Sequence, residues 1–204
     1  MRPRYSVSMP PRQTLLHSHA SLPPRWVMTD ARNDDVLEHA LRTLPYGGGG
    51  LIFRHYHLPP GERAARFRAL RRLCHSRGLP AVWAGSAAEA RARGADGCYG
   101  PAERICPGPA LLRLASAHNL REIGRAGRAR ADAILLSPVF PTRSHPGTAT
   151  LGPVRFLLLG RHSLVPVLAL GGMKAQAAQR LPGTPWAAID GIGRRGRRST
   201  PFTA

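Results

Sequence analysis

Eight short apolar runs recur along this 204-residue chain, separated by longer stretches with helical spacing. The runs are RWVMT (25–29), GLIFR (50–54), PAVWA (80–84), DGCY (96–99), LLRLAS (111–116), DAILLS (132–137), VPVLAL (165–170) and WAAID (186–190). Runs this short suit strands covered on both faces, and strands alternating with helices build parallel βα units. Among the intervening segments, DARNDDVLEHALRTL sets Val36, Leu37, Ala40, Leu41 and Leu44 on one stripe, with Asn33 or Asp34 able to cap its start. PGERAARFRALRRLCHSRG repeats the pattern with Ala64, Phe67, Leu70, Leu73 and Cys74, and stops at Gly78. NLREIGRAGRAR and MKAQAAQRL read as shorter helices, whereas Pro107 and Pro109 break AERICPGPAL.

Two architectures fit such an alternation, an eight-stranded barrel and an open doubly wound sheet. An open sheet favours a glycine-rich turn after its first strand. Here the glycines that follow a strand come late, in LGGM (170–173) after the seventh run. Barrels bind phosphate at the loops after strands seven and eight, so the late position favours a TIM-type (β/α)8 barrel, an α/β fold, over residues 25–192. The ending GIGRRGRRSTPFTA is too short and too rich in Gly and Arg for a full closing helix. The final helix is therefore expected to be truncated, with the barrel open on one side or covered by a partner subunit in a homo-oligomer. Residues 1–24, with Pro10, Pro11, Pro23 and Pro24 and no secretory apolar stretch, read as a disordered basic leader, and residues 193–204 as a basic tail.

The net charge is +19, and Lys174 is the only lysine among the 30 basic residues. Such a surplus attracts nucleic acid, anionic surfaces or phosphorylated small molecules. No zinc-finger spacing or aromatic RNA-binding pattern accompanies it, so a nucleic-acid partner is not expected; binding through the Arg-rich termini is the form it would take. Cys74, Cys98 and Cys106 are irregularly spaced and fit reduced thiols in a cytoplasmic protein. No apolar run reaches the roughly 18 residues that a membrane span needs.

Several residues sit where barrel enzymes place their chemistry, just past strand ends. Gly171 and Gly172 let backbone N–H groups approach an anion, and Lys174 adds a charge at the following helix start. Ser116 and His118 follow the fifth run, and a histidine there can act as acid or base near neutral pH. LLSPVFPTRSHPGTATLG (135–152) is a strand that empties into a loop of hydroxyls and cations, Thr142, Arg143 and His145. Each feature also has an ordinary reading, as a tight turn, a helix cap or a proline-bounded loop.

Their order is more telling. SAH (116–118), SPVFPT (137–142) and VPVLALGGM (165–173), about one βα unit apart, resemble the thiamine phosphate synthase/TenI family, and MTD (28–30) and GADG (94–97) match its first and fourth strands. The resemblance spans roughly 25–192 and is specific between about 114 and 173. It implies coupling of a hydroxymethylpyrimidine pyrophosphate to a thiazole phosphate with release of pyrophosphate, aided by Mg²⁺. It further implies that Gly171 and Gly172, with Gly191 and Ile192, cradle phosphate; that Thr142, Arg143 and His145 contact anions; that Ser116 and His118 are catalytic-site groups; and that Arg54 meets the pyrophosphate.

The chain also departs from the family pattern. The Gln-x-Arg-x-Lys of the second strand reads IFRHY, so Arg54 remains while Ile52 and Tyr56 replace the glutamine and lysine. The Asn-Asp pair falls on Ala84 and Gly85, and the Gln-Glu-Asp set keeps only Glu103, after a one-residue deletion. The lysine after the sixth strand becomes His145, and Asp190 stands where a serine is expected near the phosphate. Asp96 and Asp132 begin their strands and should lie at the opposite end; Asp30 lies at the correct end but is one carboxylate. Mg²⁺ prefers several oxygen ligands, so its site is expected to be incomplete. Synthase, TenI-like thiazole tautomerase (which uses a histidine at the His118 position) and non-catalytic binder of a phosphorylated ligand all stay open.

Overall fold

In a computed structural model of the protein, described for residues 22–105, 111–144 and 146–191, each apolar run forms a strand. The strands are β1 (Arg25–Met28), β2 (Gly49–Phe53), β3 (Ala81–Ala84), β4 (Gly97–Gly100), β5 (Leu112–Ala117), β6 (Ala133–Leu136), β7 (Val167–Ala169) and β8 (Trp186–Ala188). They pair in parallel and in sequence order, and β8 returns to β1 through Trp26↔Ala187 and Val27↔Ala188. The sheet is thus a closed barrel. The expectation of an open side does not hold for the sheet, because the ladder satisfies both edges. The residues expected to lack a closing helix, from 192 onward, lie outside the described residues.

Alternation along each strand divides the core in two. Trp26, Met28, Ile52, Val82, Leu114, Leu135 and Leu168 fill the barrel interior. Outward side chains such as Val27, Phe53, Trp83 and Ile134 meet the helices. Gly50 lies in register with Trp26, and a Cβ there would come within 2.6 Å of the indole ring. One large residue facing one glycine fills the interior without a void.

The helices are α1 (Leu37–Thr43), α2 (Pro60–His75), α3 (Ala87–Ala92), α4 (Leu120–Arg128), α5 (Gly152–Gly160) and α6 (Ala175–Ala178). The first helical segment differs from its sequence reading. It opens as a 3-10 helix over Ala31–Val36, capped by Asp30 and not by Asn33 or Asp34, and Val36 is exposed. The tighter 3-10 turn rotates Val36 off the stripe that 3.6-residue spacing predicts. In α2, Phe67, Leu70 and Cys74 are buried as expected, and Gly78 adopts φ +65° after the helix. Asn119 caps α4 through the Glu122 N–H. Between β4 and β5 there is no helix among the described residues.

At the N-terminal end, Asp96 accepts hydrogen bonds from the Ala81 N–H and His75, and Asp132 from the Arg113 N–H and guanidinium. Both acids are thereby structural, as their strand-start positions predict. At the opposite rim the buried Asn33 closes the seam: its side-chain N–H₂ donates to the Met28 and Ile189 carbonyls at 3.0 and 2.8 Å, while its Oδ1 accepts from the Asp30 N–H. Removing it orphans two carbonyls and one N–H in a nearly dry position. Asn33→Ala should lower unfolding free energy by about 2–3 kcal/mol, read as a lower urea midpoint with an unchanged denaturant slope.

Candidate functional site at the C-terminal rim

The strand exits bring most of the expected residues to one end of the barrel. Thr29 and Asp30 follow β1, Arg54 follows β2, Glu103 follows β4, Ser116 and His118 end β5, Thr142 and Arg143 follow β6, Gly171 and Gly172 follow β7, and Gly191 follows β8. His145 and Ile192 lie outside the described residues.

Gly171 and Gly172 have φ of +92° and +62°, a region that L-residues with side chains seldom enter. A Cβ on Gly171 would come within 2.7 Å of Pro138 Cα, and one on Gly172 would run into the Pro141 carbonyl. The pair therefore lets the β7 exit lie directly against the loop that carries Thr142. The Phe140 N–H donates to the Gly171 carbonyl at 3.1 Å, which turns that carbonyl into the loop. The Gly171 and Gly172 N–H groups meet no protein acceptor among the described residues. Gly191 packs on the Met173 carbonyl and Lys174 Cα, which joins the β8 exit to the same corner.

Arg32, unnoticed in the sequence, ties this corner together. Its Nε donates to Asp30 at 2.9 Å, its Nη2 donates to Ser144 Oγ at 2.8 Å, and its Nη1 lies 3.7 Å from Asp190. The Asp190 carboxylate, which would oppose a phosphate, is thus turned towards a cation. A hollow of about 720 Å³ opens beneath the β6–α5 loop, lined by Thr142, Arg143, Gly147 and Thr148 among others.

A second hollow, of about 240 Å³, is lined by Glu103, Ser116, His118, Glu122 and Arg125. His118 Nδ1 lies 2.9 Å from the Ser137 carbonyl, which can only accept, so Nδ1 carries the proton. In the neutral ring Nε2 is then a free base. The Glu122 carboxylate holds the His118 backbone N–H at 2.8 Å and fixes the residue's place.

At the β2 exit the structure reveals a network that the sequence does not announce. His55 is buried, stacked on Phe53 and held at φ +31°. Thr29 Oγ1 accepts from the Arg54 N–H at 2.8 Å and gives its own proton to His55 Nδ1 at 2.7 Å, so His55 Nε2–H donates to Asp34 at 2.7 Å. Burial lowers the His55 pKa below its ordinary 6.5, outweighing the pull of Asp34. Burial opposes charge on Asp34, yet hydrogen bonds from Arg66 and His55 hold its pKa below the usual 3.8. Tyr99, facing the barrel interior, is pushed up to about 12 by burial and stays a neutral phenol.

The residues present do not fit a divalent metal. No group of three or more His, Cys, Asp or Glu stands together among the described residues. Glu103 lies against Arg125 at 3.5 Å, and Asp30 against Arg32. A Cβ at Gly85 would meet Glu89 Oε2 at 2.6 Å and Trp83 Nε1 at 2.7 Å, so the Glu89 carboxylate, held by Ser86, occupies the space beside that position.

Fold and rim together define a (β/α)8 barrel whose C-terminal end gathers arginines and the unpartnered Gly171 and Gly172 N–H groups. Residues 26–192 match the family described as thiamine monophosphate synthase (TMP-TENI), and the chain belongs to that family. It is similar to the thiamine-phosphate synthase of Azoarcus sp. (strain BH72), with 30% identity over 155 residues, 72% of this chain and 75% of the relative. It is likewise similar to that of Geobacillus thermodenitrificans (strain NG80-2), with 32% identity over 70% of this chain and 68% of the relative. The solved thiamine phosphate pyrophosphorylase from Pyrococcus furiosus shares the fold, with a TM-score of 0.65 and 24% identity over 82% of this chain and 85% of that one. Among the described residues, no helix is long and apolar enough to cross a membrane.

The His55 network gives the fold an acid limit. Because the folded-state pKa of His55 is lowered, the unfolded chain takes up that proton first as pH falls, and stability drops as pH descends through about 6.5 and below. Asparagine tolerates the positive φ and carries no titrating group. His55→Asn should be less stable at pH 8 but should flatten the decline in melting temperature between pH 7.5 and 5.5; parallel slopes in the two proteins would contradict the assignment.

Proposed function

We propose that the protein is a thiamine phosphate synthase, joining hydroxymethylpyrimidine pyrophosphate to thiazole phosphate. The pyrimidine methylene–oxygen bond breaks and its electron pair leaves with pyrophosphate. The thiazole ring nitrogen supplies the pair for the new carbon–nitrogen bond. The barrier falls when fixed cations and N–H dipoles receive the departing charge in a site that needs no reorganisation.

The observation that carries this reading is the junction of the β6, β7 and β8 exits, where the unpartnered Gly171 and Gly172 N–H groups lie beside the loop bearing Thr142 and Arg143. In this reading Gly171, Gly172 and Gly191 offer backbone donors to the thiazole phosphate, Thr142 a hydroxyl and Arg143 a charge. Arg32 holds the loop in place through Ser144. In the same reading Ser116 and His118, which line the second hollow at this rim, orient the thiazole, and Arg54 meets the pyrophosphate.

A second reading draws on the free Nε2 of His118, which suits proton transfer on a thiazole ring, as a tautomerase requires. The two separate in one assay series. Purified protein supplied with both substrates should form thiamine phosphate and pyrophosphate, and should restore growth to a thiamine-requiring strain lacking its synthase. Turnover of a thiazole tautomer without coupling would select the second reading. Thr142→Val, which removes one hydroxyl donor to the charged phosphate, should raise KM for thiazole phosphate about tenfold or more with little change in kcat. His118→Asn should leave thiazole phosphate binding near wild type in calorimetry while lowering kcat, by about a hundredfold or more if it transfers a proton.

A further inference from the structure

The β2 and β3 exits hold a stack of cations and aromatic rings where the family pattern places a lysine, an asparagine and an aspartate. Arg54 and Arg63 both lie over the Tyr56 ring, at 5.6 and 4.9 Å from its centroid. Arg63 also lies 3.9 Å over Trp83, whose ring meets Arg93 at 4.4 Å. Arg63 comes from α2, outside any motif of the sequence, and is fastened to the rim by two backbone carbonyls: Nε donates to Arg54 O at 2.8 Å and Nη2 to Ala84 O at 2.7 Å. Its guanidinium is thus anchored where β2 and β3 end, one residue before Gly85, which stands where the family pattern has its aspartate.

Neither cation is neutralised by a hydrogen-bonded acid. Arg63 Nη1 has no protein acceptor among the described residues, and the Arg54 guanidinium donates, among those residues, to Met28 Sδ at 3.4 Å. Glu89, the nearby carboxylate, is spent on the Ser86 N–H and hydroxyl at the start of α3. Elsewhere, the rim and neighbouring acids are matched with arginine, as in Asp30–Arg32 and Glu38–Arg66. Asp30 and Glu89 offset part of the charge on Arg54 and Arg63 from a distance, without hydrogen-bonding to either, so both guanidiniums keep N–H groups that a polyanion between them can engage. Planar guanidiniums stacked on aromatic rings keep their N–H edges free for phosphoryl oxygens.

We infer that the Arg54–Tyr56–Arg63–Trp83 stack is a diphosphate-binding site that works without a divalent metal, the fixed guanidinium of Arg63 supplying the positive charge that a carboxylate-held cation would otherwise bring. The inference deepens the synthase reading, on which it rests, by assigning the leaving-group end of the site and its metal requirement.

Calorimetric titration of the full chain with inorganic pyrophosphate in EDTA tests it, with thiazole phosphate titrated separately. Pyrophosphate should bind in EDTA, and saturating Mg²⁺ should leave the affinity unchanged or weaken it, because the magnesium complex carries less charge. Arg63→Gln and Arg54→Gln should each weaken binding on the order of 10- to 100-fold, as loss of charged hydrogen bonds does. Arg63→Lys should restore part of it, with circular dichroism melts verifying that each variant is folded. Binding that requires Mg²⁺, or binding in EDTA that both glutamine variants retain, would overturn the inference. Thiazole phosphate binding without pyrophosphate binding in EDTA would overturn it and leave the synthase reading standing; loss of both ligands would remove that reading too.

Discussion

The return of β8 to β1 is the constraint on which the rest of the structure depends. An eight-stranded parallel sheet has no hairpin to fix its ends, and each strand gains full pairing only when the ring closes. Closure sets the β1, β6 and β8 exits close enough for Arg32 to reach Asp30, Ser144 and Asp190 at once. It also lets the Asn33 side chain bridge the ends of β1 and β8, donating to Met28 and to Ile189, which lies 156 residues from Asn33 in sequence. The interior of large apolar side chains and the glycine opposite Trp26 serve that closure. Without it, the rim groups would be scattered over separate loops.

Charge is distributed unevenly over this frame. The chain has 11 acidic residues against 30 basic ones, so most arginines cannot have a carboxylate. The acids that exist hold architecture: Asp96 and Asp132 at the strand starts, Asp34 and Glu38 on Arg66, Asp30 at a helix cap. At the C-terminal rim Arg32 and Arg125 face acids, whereas Arg63 is held by aromatic faces and backbone carbonyls. In the proposed diphosphate site, a basic composition shaped by arginine would supply the positive charge that a bound metal supplies elsewhere.

Much of the fold was legible in the sequence because burial on both faces makes each strand a continuous apolar run, and such runs survive heavy arginine substitution elsewhere. The turn after β7 was legible for a related reason: Gly171 and Gly172 are demanded by backbone geometry, which no other residue meets cheaply. The short helix α3, with its Ser86–Glu89 capping box, was not picked out, although the pattern S-x-x-E is visible once the strand before it is placed. Nor was α5, whose leucines Leu157 and Leu158 face outward and blur the stripe. Arg63 and His55 were out of reach for a different reason. Arg63 looks like a solvated helix arginine until α2 docks on β3. His55 looks like a loop histidine until Thr29 and Asp34 close around it.

Lys174, the only lysine, stands exposed at the start of α6, with its Cα against Gly191 and hence at the corner where the β7 and β8 exits meet. Reagents that modify primary amines will find, apart from the chain terminus, a single target beside the β7 and β8 exits of the barrel. A fluorophore or cross-linker placed there reports on that corner alone, so the surplus of arginine gives this protein a chemically addressable site that a lysine-rich relative would lack.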